Sequence, residues 1–176
     1  MRRSFEIEIV TPEATELRAR ATAIRAPAWE GYLGVLAGHA ALVCALTPGC
    51  LTVRQQAEEN GEERSTYYAL RGGFMQVGPE RVVVIADEVA RGDAVDAAKV
   101  KRELAELEKA PPLRPGAAAA AEAKGARPEE GAAPGAGQAA LEARAKARDE
   151  AREQAAEARR WAKARLETVA LMKAGE

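Results

Sequence analysis

The chain's only histidine, His39, stands in the stretch EGYLGVLAGHAAL, Glu30 to Leu42, together with Gly31, Gly34 and Gly38. Three uses fit such a stretch: a histidine base, a glycine loop that cradles phosphate, or a shaped turn that another protein recognises. A general base needs a nucleophile and a charge stabiliser near it, and the sequence offers no such set. A phosphate loop needs a lysine followed by Ser or Thr and a helix opening behind it, and neither follows these glycines. Cys44 and Cys50 are too few for a disulfide framework and lack metal-ligand spacing, so they read as small core side chains. The carboxylates Asp87, Glu88, Asp93 and Asp96 gather near the middle of the chain. They could hold a divalent ion, but capping of a helix and a solvated edge is the preferred reading. No catalytic residue, metal site or cofactor is expected.

The elements that would position these residues fall into two unlike halves. Phe5, Ile7 and Ile9 alternate with Glu6 and Glu8, the period of a strand with one buried face. Similar runs recur at Glu16 to Ala19, Thr22 to Ala26, Leu42 to Leu46, Cys50 to Gln55, Thr66 to Leu70, Phe74 to Val77 and Arg81 to Ala86. Turn signals separate them: Thr47-Pro48-Gly49, Asn60-Gly61, Gly72-Gly73 and Gly78-Pro79. Short strands at this spacing predict a β-sandwich or flattened barrel over 1–87.

Beyond Asp87 alanine and charged residues take over. Asp96 is placed to cap a first helix, 93–110, whose apolar residues Val100, Leu104 and Leu107 share one face. Pro111-Pro112 stops it. Residues 111–137 carry five prolines and five glycines and read as a low-complexity linker. A long second helix follows over 138–173, with a stripe of mostly alanine that buries little area per turn. Only its last turns, with Trp161, Leu166, Val169, Leu171 and Met172, offer a large apolar anchor.

Charge limits the partners. The 26 basic and 27 acidic residues of the 176 leave a net charge of -1, so no global field draws nucleic acid or an anionic membrane. Within 138–173 nine basic residues face six acidic ones. A solvated, salt-bridged helix accounts for this. So does a basic and aromatic patch of Arg159, Arg160, Trp161, Lys163 and Arg165 for an acidic protein surface, whereas interleaved acids make nucleic acid a poor partner. Two glutamates, Glu6 and Glu8, break any signal-peptide core, and no run nears the roughly 20 apolar residues of a membrane span. A cytoplasmic protein is expected.

Two segments carry a family resemblance. EGYLGVLAGHAALVCALTPG, Glu30 to Gly49, and YALRGGFMQVGPERVVVIADEVARGDAVD, Tyr68 to Asp96, resemble the epsilon subunit family of the F-type ATP synthase, as does the final ARLETVALM. The resemblance implies a ten-stranded β-sandwich followed by two helices and a non-catalytic place in the central stalk of the rotor. It implies partners as well: the gamma subunit and the ring of c subunits, with the alpha/beta head reached through the C-terminal helix. The membrane would be touched only through the ring, at the cytoplasmic face of the inner (plasma) membrane. Gly38 and His39 fall where the family meets gamma, and Thr11, Glu30, Gly31 and Tyr32 where members face the ring. The patch from Arg159 to Arg165 would meet the head. Some members hold ATP with an acidic and an arginine residue; here Asp96 and Lys99 stand at those positions, and lysine lacks the bidentate fork of arginine. The competing reading is a free-standing sandwich module whose charged helix oligomerises.

Overall fold

The computed structural model describes residues 3–56, 62–109 and 136–175. The alternation at the start of the chain becomes β1 (Phe5–Val10), which buries Phe5, Ile7 and Ile9 and turns Glu6 and Glu8 outward. It pairs antiparallel with β2 (Thr15–Ala21) and parallel with β9 (Arg81–Ile85). The other strands are β3 (Ala23–Ala28), β4 (Gly31–Leu36), β5 (Leu42–Leu46), β6 (Gly49–Gln56), β7 (Glu63–Leu70), β8 (Gly73–Val77) and β10 (Val89–Arg91). Their order is β10-β7-β6-β3-β5-β8-β9-β1-β2, with β4 added beside β3.

A single pair, Ala28 with Leu46, joins β3 to β5. There the sheet folds into two layers, β10-β7-β6-β3-β4 and β5-β8-β9-β1-β2. Between them lies the main core, which takes Ile24, Val35, Leu51, Val53 and Leu70 from one layer and Phe5, Ile7, Met75, Val82 and Val84 from the other. Every buried member of that core lies between Phe5 and Ala86. The sandwich therefore owes its interior to the first half of the chain alone.

Two strands were not foreseen from sequence. β4 occupies the glycine-rich stretch, and β10 the junction after Asp87. In β4 the inward residues are Leu33 and Val35, while the outward positions hold Tyr32, Gly34 and Leu36. Apolar residues on both faces erase the period-two signal, and glycine in a strand usually marks a break.

After a 3-10 turn at Gly92–Ala94 comes α1 (Ala97–Lys109). Asp96 caps it as expected: its Oδ1 accepts from the Ala98 amide at 2.9 Å and the Lys99 amide at 3.1 Å. Those amides, Lys99's first, hold the Asp96 carboxyl below its ordinary pKa. The second helix, α2, spans Ala136–Ala174. The linker expected over 111–137 lies outside the described residues, except for its last two positions, with which α2 begins.

The chain divides into two compact units, Met1–Leu104 with Arg160–Glu176, and Ala105–Arg159. The first contains the sandwich, the start of α1 and the last turns of α2. Within the second, Arg159 ties α2 to α1 by donating to the Leu107 carbonyl from Nε at 3.1 Å and Nη2 at 2.7 Å.

Candidate functional site

Strand pairing gives the two layers opposite fates on their outer faces. Cys50 and Ala69 are paired across β6 and β7 and both point away from the core, yet neither has any exposed surface. The cover is the end of α2. Trp161 and Ala164 pack with Ala69 and Ala90, and the Thr168 methyl stands 3.2 Å from where a Cβ on Gly92 would be. Small residues on both sides, Ala164 on the helix and Ala69 and Gly92 on the sandwich, let the helix approach closely.

Polar contacts fix where this helix lies. The Trp161 indole Nε1 donates to Glu88 at 3.2 Å, and Glu88 also accepts from Arg71. Arg165 donates to Glu103 of α1 at 2.7 Å and stands over the Trp161 ring, 5.1 Å from its centroid. The Tyr32 hydroxyl donates to Glu167. Burial first, then that hydrogen bond and the charge behind it, push the Tyr32 hydroxyl up to about 12. Burial likewise raises the Cys50 thiol above its usual range, opposed by hydrogen bonds with Thr168 and Thr52. Nothing here resembles an activated nucleophile, since a reactive thiol is one whose pKa falls.

The other outer face is open. Val43, Phe74 and Ile85 are 67%, 59% and 56% exposed, on three strands that lie side by side. Large apolar side chains gathered on one exposed face mark a surface meant for a partner. Sequence reasoning missed them, although a signal was present. The runs LVCAL and RVVVI are apolar at consecutive positions, as strands covered on both faces are. Farther along the same layer the outer surface turns polar, with Arg18 paired to Glu6 and Arg81 to Glu8.

The residues singled out from sequence divide between the ends of the sandwich. Register runs from Val10 to Ile85, Phe74 and Ala45, and from the adjacent Leu46 on to Ala28 and Gly31. Thr11 and the turn Glu30 to Tyr32 thus share one end. Trp29, 84% exposed, stands there too, beside a groove of about 360 Å³ that Tyr32 and Leu42 help to line. Thr11 is buried and closes its own turn, exchanging hydrogen bonds with Ala14. Gly38 and His39 lie at the opposite end, where the Gly38 amide reaches the Pro79 carbonyl at 3.3 Å. The His39 ring meets the neighbouring Ala40 carbonyl, at 2.8 Å through Nδ1.

The carboxylate cluster separates in space. Glu88 serves Arg71 and Trp161, Asp93 pairs with Arg91, and Asp96 caps α1. Among the described residues no group of three or more His, Cys, Asp or Glu could hold a metal ion. Of the basic and aromatic patch, Trp161 is turned onto the sandwich and Arg159 and Arg165 onto α1, which leaves Arg160 and Lys163 facing solvent. No helix among the described residues is long and apolar enough to cross a membrane.

Comparison with known proteins agrees with this architecture. Residues 4–92 match the family profile described as ATP synthase, Delta/Epsilon chain, beta-sandwich domain. The ATP synthase epsilon chain of Moorella thermoacetica is 42% identical over 113 residues, covering 62% of this chain and 81% of that protein. The epsilon chain of Chloroflexus aurantiacus is 41% identical over 102 residues, 58% of this chain and 69% of that protein. Among solved structures, a chain in the Euglena gracilis mitochondrial ATP synthase (OSCP/F1/c-ring) superposes with a TM-score of 0.54 at 28% identity, covering 65% of this chain and 69% of that one.

Proposed function

The chain belongs to the ATP synthase delta/epsilon chain family, and from that premise we propose which of its surfaces meets which neighbour. Its function is that of a non-catalytic central-stalk subunit, which couples rotation to ATP synthesis performed elsewhere in the complex. Its place is peripheral to the membrane, at the cytoplasmic face of the inner (plasma) membrane in this reading.

One observation carries the assignment of surfaces. The chain covers one outer face of its sandwich with its own helix and leaves Val43, Phe74 and Ile85 exposed on the other. The open face is the docking surface for gamma, with His39 at its margin. The end that carries Thr11, Glu30, Gly31 and Tyr32 faces the c ring. The last turns of α2, once lifted, present Arg159, Arg160, Trp161, Lys163 and Arg165 to the head, where the helix restrains ATP hydrolysis. Asp96 already spends an oxygen on the cap of α1 and Lys99 lacks a guanidinium fork, so the reading assigns nucleotide no role.

Co-expression with gamma from the same source, followed by pull-down, tests the docking face. The wild-type chain should form a one-to-one complex. Phe74→Glu, which puts a charge at the centre of the apolar patch, should weaken binding at least tenfold, since an unpaired charge buried at an interface costs several kcal/mol. His39→Ala should weaken it less. A homo-oligomer with no affinity for gamma would overturn the assignment in favour of a free-standing module.

Truncation before Pro111 tests the helix. Because the main core contains no residue beyond Ala86, the shortened chain should fold and assemble normally. Hydrolysis by the assembled complex should rise, and a rate equal to the full-length complex would remove the inhibitory role of α2.

A further inference from the structure

We propose that Tyr32 couples the turn at Trp29–Tyr32 to the C-terminal helix, so that a c ring seated on that turn favours the docked helix, and a docked helix in turn strengthens seating on the ring. The inference rests on the reading that this end of the sandwich faces the ring.

Tyr32 belongs to both places. It is the second residue of β4, directly after the turn, and it pairs with Pro27 on the outer side of its layer. Its ring lies 3.9 Å from the Arg25 guanidinium carbon, and its hydroxyl reaches across to Glu167 on α2. The same residue lines the groove beside the exposed Trp29. At the turn itself Gly31 takes a φ of 121°, which gives this backbone unusual freedom when nothing holds it. A hydrogen bond from Glu167 removes part of that freedom by fixing the residue next to the glycine. Ordering the turn in advance lowers the entropy that a partner must overcome on binding. Linkage makes the effect reciprocal: whatever the docked helix adds to ring affinity, the ring adds to docking.

The helix has a second attachment at the same end of the sandwich. Trp161 bonds Glu88, which follows the strand that ends beside Val10. That attachment keeps α2 in place when Tyr32 is altered, so a hydroxyl deletion tests the coupling without discarding the docked state.

Cys50 supplies the readout. It lies wholly buried beneath Thr168, and its thiol becomes accessible when α2 lifts. In a Cys44→Ser background it is the only thiol, and its rate of reaction with N-ethylmaleimide follows the lifted population. In the free chain Tyr32→Phe and Glu167→Ala should each speed labelling about tenfold, as loss of a hydrogen bond to a charged group predicts. The double variant should be no faster than either single one. The wild-type chain is then labelled in complexes with gamma alone and with gamma plus the c ring. Adding the ring should slow labelling about fivefold or more in the wild type and leave Tyr32→Phe unchanged.

Each outcome decides. Equal labelling with and without the ring, or a slowing that persists in both Tyr32→Phe and Glu167→Ala, overturns the coupling and leaves the stalk assignment standing. Failure of the wild-type chain to enter a ring-bearing complex overturns both. Single variants whose effects add in the double variant show that Tyr32 and Glu167 do not act through each other, and that also defeats the proposal.

Discussion

Gly73→Ala should cost the sandwich about 4 kcal/mol or more, read as a large fall in the urea midpoint and a loss of soluble protein on expression. Gly73 opens β8 at a φ of 119°, where side chains other than hydrogen are strained. Strain of that kind contributes about 1–3 kcal/mol. The larger part is steric. A Cβ at this position would stand 2.0 Å from the Ile85 carbonyl oxygen and 2.8 Å from the Ala86 Cα, both backbone atoms of β9 and its exit. Neither can rotate away, so the β8–β9 pairing that places Met75 beside Val84 in the core must shift. With a whole domain held by about 5–15 kcal/mol, such a loss threatens folding itself. Gly34→Ala is the matched control. Gly34 has an ordinary φ, and its Cβ would meet nothing within 4 Å, so its midpoint should stay within about 0.5 kcal/mol of wild type. Equal midpoints for the two variants would show that the close approach at Ile85 is not a constraint.

Trp161→Ala acts on a different equilibrium. Trp161 is 6% exposed and packs with Ala69 and Ala90 of the sandwich, with its indole also bonded to Glu88. Truncating a buried tryptophan costs about 3–5 kcal/mol. Here that cost falls on the docked state of the helix and not on the sandwich, whose core holds no residue of α2. Labelling of Cys50 in the Cys44→Ser background should therefore quicken on the order of a hundredfold, because each 1.4 kcal/mol is a factor of about ten. The urea midpoint of the β-structure, followed by far-ultraviolet circular dichroism, should move little. A midpoint that collapses along with the labelling would mean that helix and sandwich unfold as one unit, contrary to the two-state helix proposed above. Arg165 shares in the loss, since it stands over the indole ring and bonds Glu103. Replacing Arg165 alone leaves the apolar contact and should have the smaller effect.

Legibility from sequence followed the simplicity of each residue's surroundings. Phe5, Ile7 and Ile9 could be read because one face of β1 is buried and the other wet, so polarity alternates with the pleat. Asp96 could be read because capping is local, complete within the three residues that follow it. β4 could not, because its outward positions carry apolar residues too: Tyr32, which answers to a helix end far away in sequence, and Leu36, which is exposed. Val43, Phe74 and Ile85 were hidden for the same reason. An apolar residue in a strand looks alike in sequence whether it points into its own core or toward another protein.

Trp161 and Arg165 make the point most sharply. From sequence they form a basic and aromatic patch, and composition cannot say whether the patch faces out or in. Folding turns both inward, onto Glu88 and Glu103, acidic partners 73 and 62 residues away. By itself the sequence determined eight of the ten strands of the sandwich, the cap and start of α1, and a long helix rich in alanine. Those properties are periodic or local, and each is decided by neighbours a few residues apart. Only the tertiary structure decided which outer face the helix covers, which apolar residues remain exposed, and that Tyr32 touches Glu167. Those are meetings of residues distant in the chain, fixed by strand register and by the close packing of small side chains, and neither is encoded in any one segment.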